Sequence, residues 1–160
     1  MSEVFPLVSV IIINYNGKQY LKTCLEGIFA NHYSNYEVIV CDNGSADGSQ
    51  EYVEKLTQKH QNLFLVALEK NFGPSYARNK VGEKAKGKYL AFLDNDTKPE
   101  PDWLLDPVKE MEQDPTIGAC QCKLLLMREP QKLDYAGDYL SQFGLLVQRV
   151  PGGEVDRGQV

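Results

Sequence analysis

The sequence is poor in the features that would commit a chain to a membrane, to nucleic acid or to thiolate and imidazole chemistry. Across 160 residues no run approaches the roughly 18–20 consecutive apolar residues of a membrane-spanning helix. The first residues, Met1-Ser2-Glu3-Val4-Phe5-Pro6, lack a basic stretch ahead of an apolar core, so no signal peptide is expected. Lys and Arg number 17 against 22 Asp and Glu, for a net charge of -5, and they are scattered. A phosphate backbone demands clustered cations, so no nucleic acid partner is expected. The two histidines, His32 and His60, have no neighbours suited to a nucleophilic triad or a metal cage and read as solvent-facing. Four cysteines leave little room for zinc, because Cys120-Gln121-Cys122 is too closely spaced; buried, reduced small hydrophobes are the expectation. The turn after the first apolar run holds only Gly17, which excludes the G-x-G-x-x-G dinucleotide loop, and no G-x-x-x-x-G-K-[ST] occurs. The expected location is cytoplasmic, including the inner face of a membrane.

What is present is a regular alternation. Hydrophobic residues at 42% and charged residues at 24% are ordinary for a soluble globular chain. Residues 7–13 are a near-continuous β-branched run, the mark of a strand covered on both faces. Tyr20, Leu21, Cys24, Leu25, Ile28 and Phe29 recur at helical spacing and predict a helix over 18–30. A strand follows at 36–41, then a helix capped by Asp47 or Ser49 with Tyr52, Val53 and Leu56 inward. Residues 63–68 predict a third strand. Pro74 opens a third helix lined by Ala77, Val81 and Ala85 and closed by Gly87. Tyr89-Leu90-Ala91-Phe92-Leu93 reads as a buried strand. Pro101 starts a fourth helix, with Trp103, Leu104, Val108 and Met111 inward, and 117–126 gives a further strand. Short connections and right-handed crossovers make this an α/β fold of three layers around a doubly wound, mostly parallel sheet. Residues 1–125 are expected to form one subdomain. Residues 126–160 would begin a second region: short strands or a hairpin within 134–147, then a polar tail with nothing to pack it.

Four polar clusters each follow a predicted strand: Asn14-Tyr15-Asn16, Asp42-Asn43-Gly44-Ser45, Asn71-Phe72-Gly73 with Arg78-Asn79, and Asp94-Asn95-Asp96. Crevices outside the carboxyl ends of strands bind ligands in open α/β sheets. Two carboxylates with one residue between them are costly at such an edge unless positive charge joins them. A divalent cation carrying a diphosphate supplies it, with Asp96 the natural ligand for Mg²⁺ or Mn²⁺. Asp42 can accept from a nucleobase or ribose, Tyr15 offers a stacking face, and Arg78 can pair with an acid or a phosphate.

These segments, Val8 to Gly17, Val40 to Ser49, Asn71-Phe72-Gly73 with Ala77-Arg78-Asn79, and Phe92 to Thr97, resemble the family 2 glycosyltransferases in order and spacing over about residues 7–125. The resemblance implies a GT-A fold whose Rossmann-like, nucleotide-sugar-binding subdomain is residues 1–125, with residues 126–160 beginning the acceptor-side region, and inverting, metal-dependent sugar transfer. It implies a nucleotide site made by Asn14, Tyr15, Asn16, Asp42, Asn43, Arg78, Asp94 and Asn95, with Asp94-Asn95-Asp96 as the D-x-D motif and Asp96 and Asp94 at the metal. The metal acts as a Lewis acid that offsets charge on the departing nucleoside diphosphate. Leu133 to Gly137 with Phe143-Gly144 looks like the rhamnosyltransferase-like branch.

Members of that family carry an acidic general base on a later segment, and Glu129, Glu154 and Asp156 do not fill the role. The chain is therefore expected to be the N-terminal, donor-binding portion of a longer transferase. That enzyme would use a UDP- or dTDP-sugar and a saccharide or lipid-linked acceptor in polysaccharide biosynthesis, and residues 1–160 alone are expected to transfer sugar poorly or not at all. The remaining expectations are a homodimer through an uncovered apolar edge and peripheral membrane association through other parts of the protein. The alternatives are a non-catalytic nucleotide-binding or oligomerising module and a sugar nucleotidyltransferase. The latter would need more glycine and basic residues than Asn14 to Lys18 provide.

Overall fold

A computed structural model describes residues 5–143 and 145–158. They form two compact units, divided between Leu104 and Leu105. The first contains β1 (Val8–Asn14), α1 (Lys18–Phe29), β2 (Tyr36–Asp42), α2 (Ser49–Thr57), β3 (Leu63–Ala67), α3 (Pro74–Gly82) and β4 (Tyr89–Asp94). All four strands run parallel in the order β3-β2-β1-β4.

The burial of β1 and β2 follows from their β-branched content. Val8, Val10 and Ile12 of β1 and Val38 and Val40 of β2 are essentially inaccessible on one face, each contributing about 1.5–3 kcal/mol by leaving water. On the other face Ile11, Ile39 and Cys41 pack with Ala77 and Val81 of α3. The two-sided cover has a topological cause. α1 and α2 connect strands stepping outward from β1 to β3, whereas α3 returns across the sheet to β4, so right-handed crossovers place α3 on the opposite face. Three layers result, as the sequence predicts.

Several boundaries and faces depart from the sequence reading. Tyr20 is exposed rather than inward. α3 ends at Gly82 with Glu83 as its cap residue, and Gly87 lies beyond it, donating its N–H to Ser9 Oγ at 2.8 Å. β4 is not buried on both faces: Leu90 and Phe92 are 45% and 51% exposed. β4 is the outer strand of this sheet, and α3 packs over β1 and β2. His32 pairs with Asp102 at 2.9 Å, and His60 stacks flat on Phe29, ring centroids 3.7 Å apart.

The second unit contains α4 (Leu105–Gln113), β5 (Leu124–Leu126), β6 (Glu129–Tyr135), β7 (Asp138–Leu140) and β8 (Leu146–Gln148). The expected helix from Pro101 starts later, although Leu104 and Val108 are buried as predicted. The strand expected over 117–126 shrinks to β5. It pairs antiparallel with β6 in a sheet of its own. β7 and β8 form the anticipated hairpin; Gly144, part of the rhamnosyltransferase-like segment, lies outside the described residues. The polar tail is not unpacked. Leu133 N–H donates to Glu154 O at 2.8 Å and Asp156 N–H to Gln131 O at 2.8 Å, which ties residues 153–156 to β6. Cys24 and Cys41 are buried, but Cys120 is exposed, because no regular element surrounds it. No helix among the described residues is long and apolar enough to cross a membrane.

Candidate functional site

The chain reverses its winding direction between β1 and β4, and at such a switch point the loops leaving adjacent strands diverge and open a crevice. Asn14 closes β1 in register with Asp42 of β2, and Ile13 is in register with Asp94 of β4. The sheet therefore delivers three of the four polar clusters to one edge. The fourth joins them through side chains: Asn43 Nδ2 donates to Asn71 Oδ1 at 3.0 Å, and Phe72 N–H donates to Asn43 Oδ1 at 3.0 Å.

Asp42 is wholly buried. Its Oδ1 accepts from Ser45 N–H and from Gln50 Nε2, both at 2.8 Å, and its Oδ2 accepts from Asn14 Nδ2 at 2.9 Å. A carboxylate out of water requires such donors. The sequence reading placed Asp42 toward a ligand; in this conformation it is the hub beneath the cradle, with Gln50 over one oxygen. Asn14, equally buried, joins the hub to the acid turn by accepting from Asn95 Nδ2 at 2.7 Å. Asn16, at φ 50°, accepts from Ala46 N–H at 2.9 Å, and its own N–H reaches Ser45 Oγ. These bonds stitch the β1 loop to the β2 loop and leave Tyr15 half exposed above them. Gly44 permits a second approach, of the β2 loop to the segment after β3: at φ +79°, a Cβ there would lie 2.4 Å from Lys70 Cα.

Asp94-Asn95-Asp96 forms a tight turn in which Thr97 N–H and Oγ1 both donate to the Asp94 carbonyl, at 3.2 and 2.7 Å. Asp94 and Asp96 are exposed. Arg78, from α3, brings its guanidinium to 3.6 Å from Asp94 Oδ1, so Arg78 and the acid turn occupy one place, as the sequence reading requires. The acids are felt by Cys24 of α1, whose thiol is pushed up to about 12, first by burial and then by the charges of Asp96 and Asp94. That cysteine stays a neutral packing residue and takes no part as a nucleophile.

Asp94 and Asp96 offer hard oxygen ligands at the turn, and no group of three or more acidic, His or Cys ligands is found among the described residues. Two carboxylates without a third acid suit a cation that keeps several waters and completes its shell with phosphate oxygens, as Mg²⁺ does and Mn²⁺ can. They do not suit a resident structural metal.

Three contributors escaped the sequence reading. Gln50 is separated from the Asp42 cluster by an intervening turn, and nothing in its type announces the contact. Asp47, anticipated as a cap of one helix, serves two: Oδ2 accepts from Lys18 N–H at the start of α1 (2.9 Å), and Oδ1 accepts from Ser49 N–H at the start of α2 (3.0 Å). Desolvation pushes its carboxyl up, but the bonds from the Ser49 hydroxyl and from the Lys18 and Ser49 amides outweigh that and hold it below the ordinary 3.8. Gly17 matters as well, since a Cβ there would stand 2.1 Å from Asn95 Nδ2 and 2.6 Å from Asn14 Oδ1.

Comparison with known proteins gives the chain a family. The putative teichuronic acid biosynthesis glycosyltransferase TuaG of Bacillus subtilis is 36% identical over 98 residues, covering 61% of this chain and 39% of that protein. The UDP-Glc:alpha-D-GlcNAc-diphosphoundecaprenol beta-1,3-glucosyltransferase WfaP of Escherichia coli is 35% identical over 92 residues, covering 56% of this chain and 35% of that one. The chain thus spans well under half the length of these relatives. Mannosyltransferase PcManGT from Pyrobaculum calidifontis, solved in complex with GDP-Man and Mn²⁺, matches with a TM-score of 0.71 at 30% identity, over 79% of this chain and 37% of that one. With the glycosyl transferase family 2 model matching residues 9–126, the segment that holds all four clusters, the chain belongs to glycosyl transferase family 2.

Proposed function

We propose that the protein transfers a sugar from a UDP- or dTDP-sugar to a saccharide or lipid-linked acceptor, with inversion, and that this chain supplies the donor-binding part. The observation that carries the reading is the convergence of the β1, β2 and β4 loop clusters with Arg78 at the switch point. Tyr15 and Asn16 flank the nucleoside, Asn43 holds the β3–α3 loop against it, and Arg78 faces the diphosphate. To reach Asp42 Oδ1 a base must replace the Gln50 amide, an exchange of one donor for another. Asp94 and Asp96 would hold the divalent cation, which when bound supplies positive charge for the departing nucleoside diphosphate. Arg78 adds a fixed cation beside Asp94, so charge developing on the leaving group meets a preorganised partner. The base that deprotonates the acceptor lies outside the four clusters. The names of WfaP (UDP-Glc) and PcManGT (GDP-Man, Mn²⁺) support a nucleotide-sugar donor and a divalent cation, and WfaP's diphosphoundecaprenol substrate supports a lipid-linked acceptor. The uncovered Leu90 and Phe92 on β4 support the homodimer reading.

Calorimetric titration of UDP, dTDP and GDP, each with and without Mn²⁺, tests the proposal. Binding of UDP or dTDP that tightens with Mn²⁺ and is lost in Asp96→Ala is the expected result. GDP binding tighter than both would overturn the base assignment, and no metal-dependent binding at all would favour the non-catalytic module.

A further inference from the structure

The contacts around Asn14 lead beyond ligand binding to how the two halves of the site are held together. Asn14 is wholly buried at the end of β1, the strand between β2, which carries Asp42, and β4, which carries the acid turn. Its amide can serve both neighbours in only one orientation. The Asp42 carboxylate accepts and cannot donate, so Asn14 must turn Nδ2 toward it, at 2.9 Å. Oδ1 is then left facing β4 and must be met by a donor. Asn95 meets it with Nδ2 at 2.7 Å. Asn95 is the residue between the two acids, so its side chain points inward to Asn14 while Asp94 and Asp96 are exposed. The chain Asp42–Asn14–Asn95 is a one-directional run of hydrogen bonds from the buried Asp42–Asn14 pair to the half-buried Asn95, where each bond polarises the next and a missing partner is costly.

Gly17 independently marks the same path. Its φ of -113° is open to any residue, so no backbone conformation demands glycine there. The constraint is spatial: a Cβ would fall 2.1 Å from Asn95 Nδ2 and 2.6 Å from Asn14 Oδ1, directly against the donor and acceptor of the relay.

We infer that Asn14 and Asn95 are positioning residues forming an amide relay that couples the nucleoside cradle at Asp42 to the metal-binding turn at Asp94 and Asp96. The inference rests on the proposed nucleotide and metal site and adds the device that links its two ends. A base that takes the place of Gln50 alters the hydrogen bond on the Asp42 carboxylate, and the altered polarisation passes through Asn14 and Asn95 to the spacing of the two acids. By linkage the effect is reciprocal: cation binding at the turn favours the Asp42 arrangement that receives the nucleoside.

The test is a coupling measurement on the full chain. For the nucleoside diphosphate of the UDP, dTDP and GDP panel that binds tightest, the ratio of dissociation constants without and with Mn²⁺ gives an enhancement factor. The same factor is measured for Asn95→Ala and for Gly17→Ala, which alters no ligand-facing group. Because the factor is a ratio within each variant, a general loss of affinity cancels. Both variants are expected to lower it by roughly fivefold or more. A factor within about twofold of the parent's in both variants would overturn the relay while leaving the nucleotide site standing. A parent chain that shows no Mn²⁺ enhancement overturns the functional reading, and the relay with it. In case a variant does not fold, ¹⁵N-resolved spectra of the unmodified chain supply a second readout. Adding the free nucleoside without metal is expected to shift the Asn95 side-chain amide, and an unmoved amide at saturating nucleoside counts against the relay.

Discussion

The two compact units differ in how their apolar residues are used. In the first, Val10, Ile12, Val38 and Val40 are all at 0% exposure, and the polar groups buried with them, Asn14 and Asp42, are fully bonded. In the second, Leu140, Phe143, Leu145 and Leu146 of the β7–β8 hairpin are each more than 60% exposed, and its paired segments are short. The contrast shows what a parallel sheet with helices on both faces supplies: two-sided cover, so every residue in the middle of a strand counts. A two-stranded hairpin offers no such cover, and alone it is marginal in water.

The comparison can be broken most directly by core truncation. Ile12→Ala is expected to cost about 2–5 kcal/mol in urea unfolding, whereas Leu146→Ala should stay within about 0.5 kcal/mol. Equal losses would mean that the hairpin is as well packed as the sheet. Next in size is Asp42→Ala, which strands the donors Asn14 Nδ2, Ser45 N–H and Gln50 Nε2 in buried space and should cost roughly 3 kcal/mol. Its effect on nucleotide binding should exceed that of any substitution in the second unit.

Asp47→Ala removes the cap of two helices at once and should cost about 1–2 kcal/mol at neutral pH. The folded state holds this carboxyl below 3.8, so its stabilisation is complete above that value and fades as pH falls through the lower folded one. The difference between Asp47→Ala and the parent should therefore shrink in acid. A gap that widens below pH 4 would contradict the double cap. The smallest effect is a labelling pattern. Cys120 should react with a thiol reagent in the native state, while Cys24, pushed up to about 12, and Cys41, pushed up to about 11, stay silent until unfolding. In both buried thiols desolvation is the leading cause.

Much of the first unit was legible in the chain because its local and global preferences agree. β-branched runs gave β1 and β2, Pro74 marked the first turn of α3, and the polar breaks after each strand located the edge where the four clusters meet. β4 was misread as doubly covered because its apolar content resembles that of β1, and composition does not say whether a strand is central or outer. The tail was misread because the bonds tying it to β6 are backbone bonds, which leave no mark on residue type. At the site, the types and order of Asn14, Asp42, Arg78, Asp94 and Asp96 were readable. Which of them face solvent was not: Asp42 and Asn14 lie beneath the cradle, whereas Asp94 and Asp96 stand open.

By itself the sequence determined the αβ alternation, the edge on which the polar clusters gather and the family to which the chain belongs, because periodicity, turn residues and strand-end acids are local properties. Only the tertiary structure decided that β4 lies beside β1 and that Asn14 joins Asp42 to Asn95. It alone made Gly17 and Gln50 matter. Those facts depend on which strands become neighbours, and hydrogen bonds between residues 28 or 81 positions apart have no counterpart in local pattern.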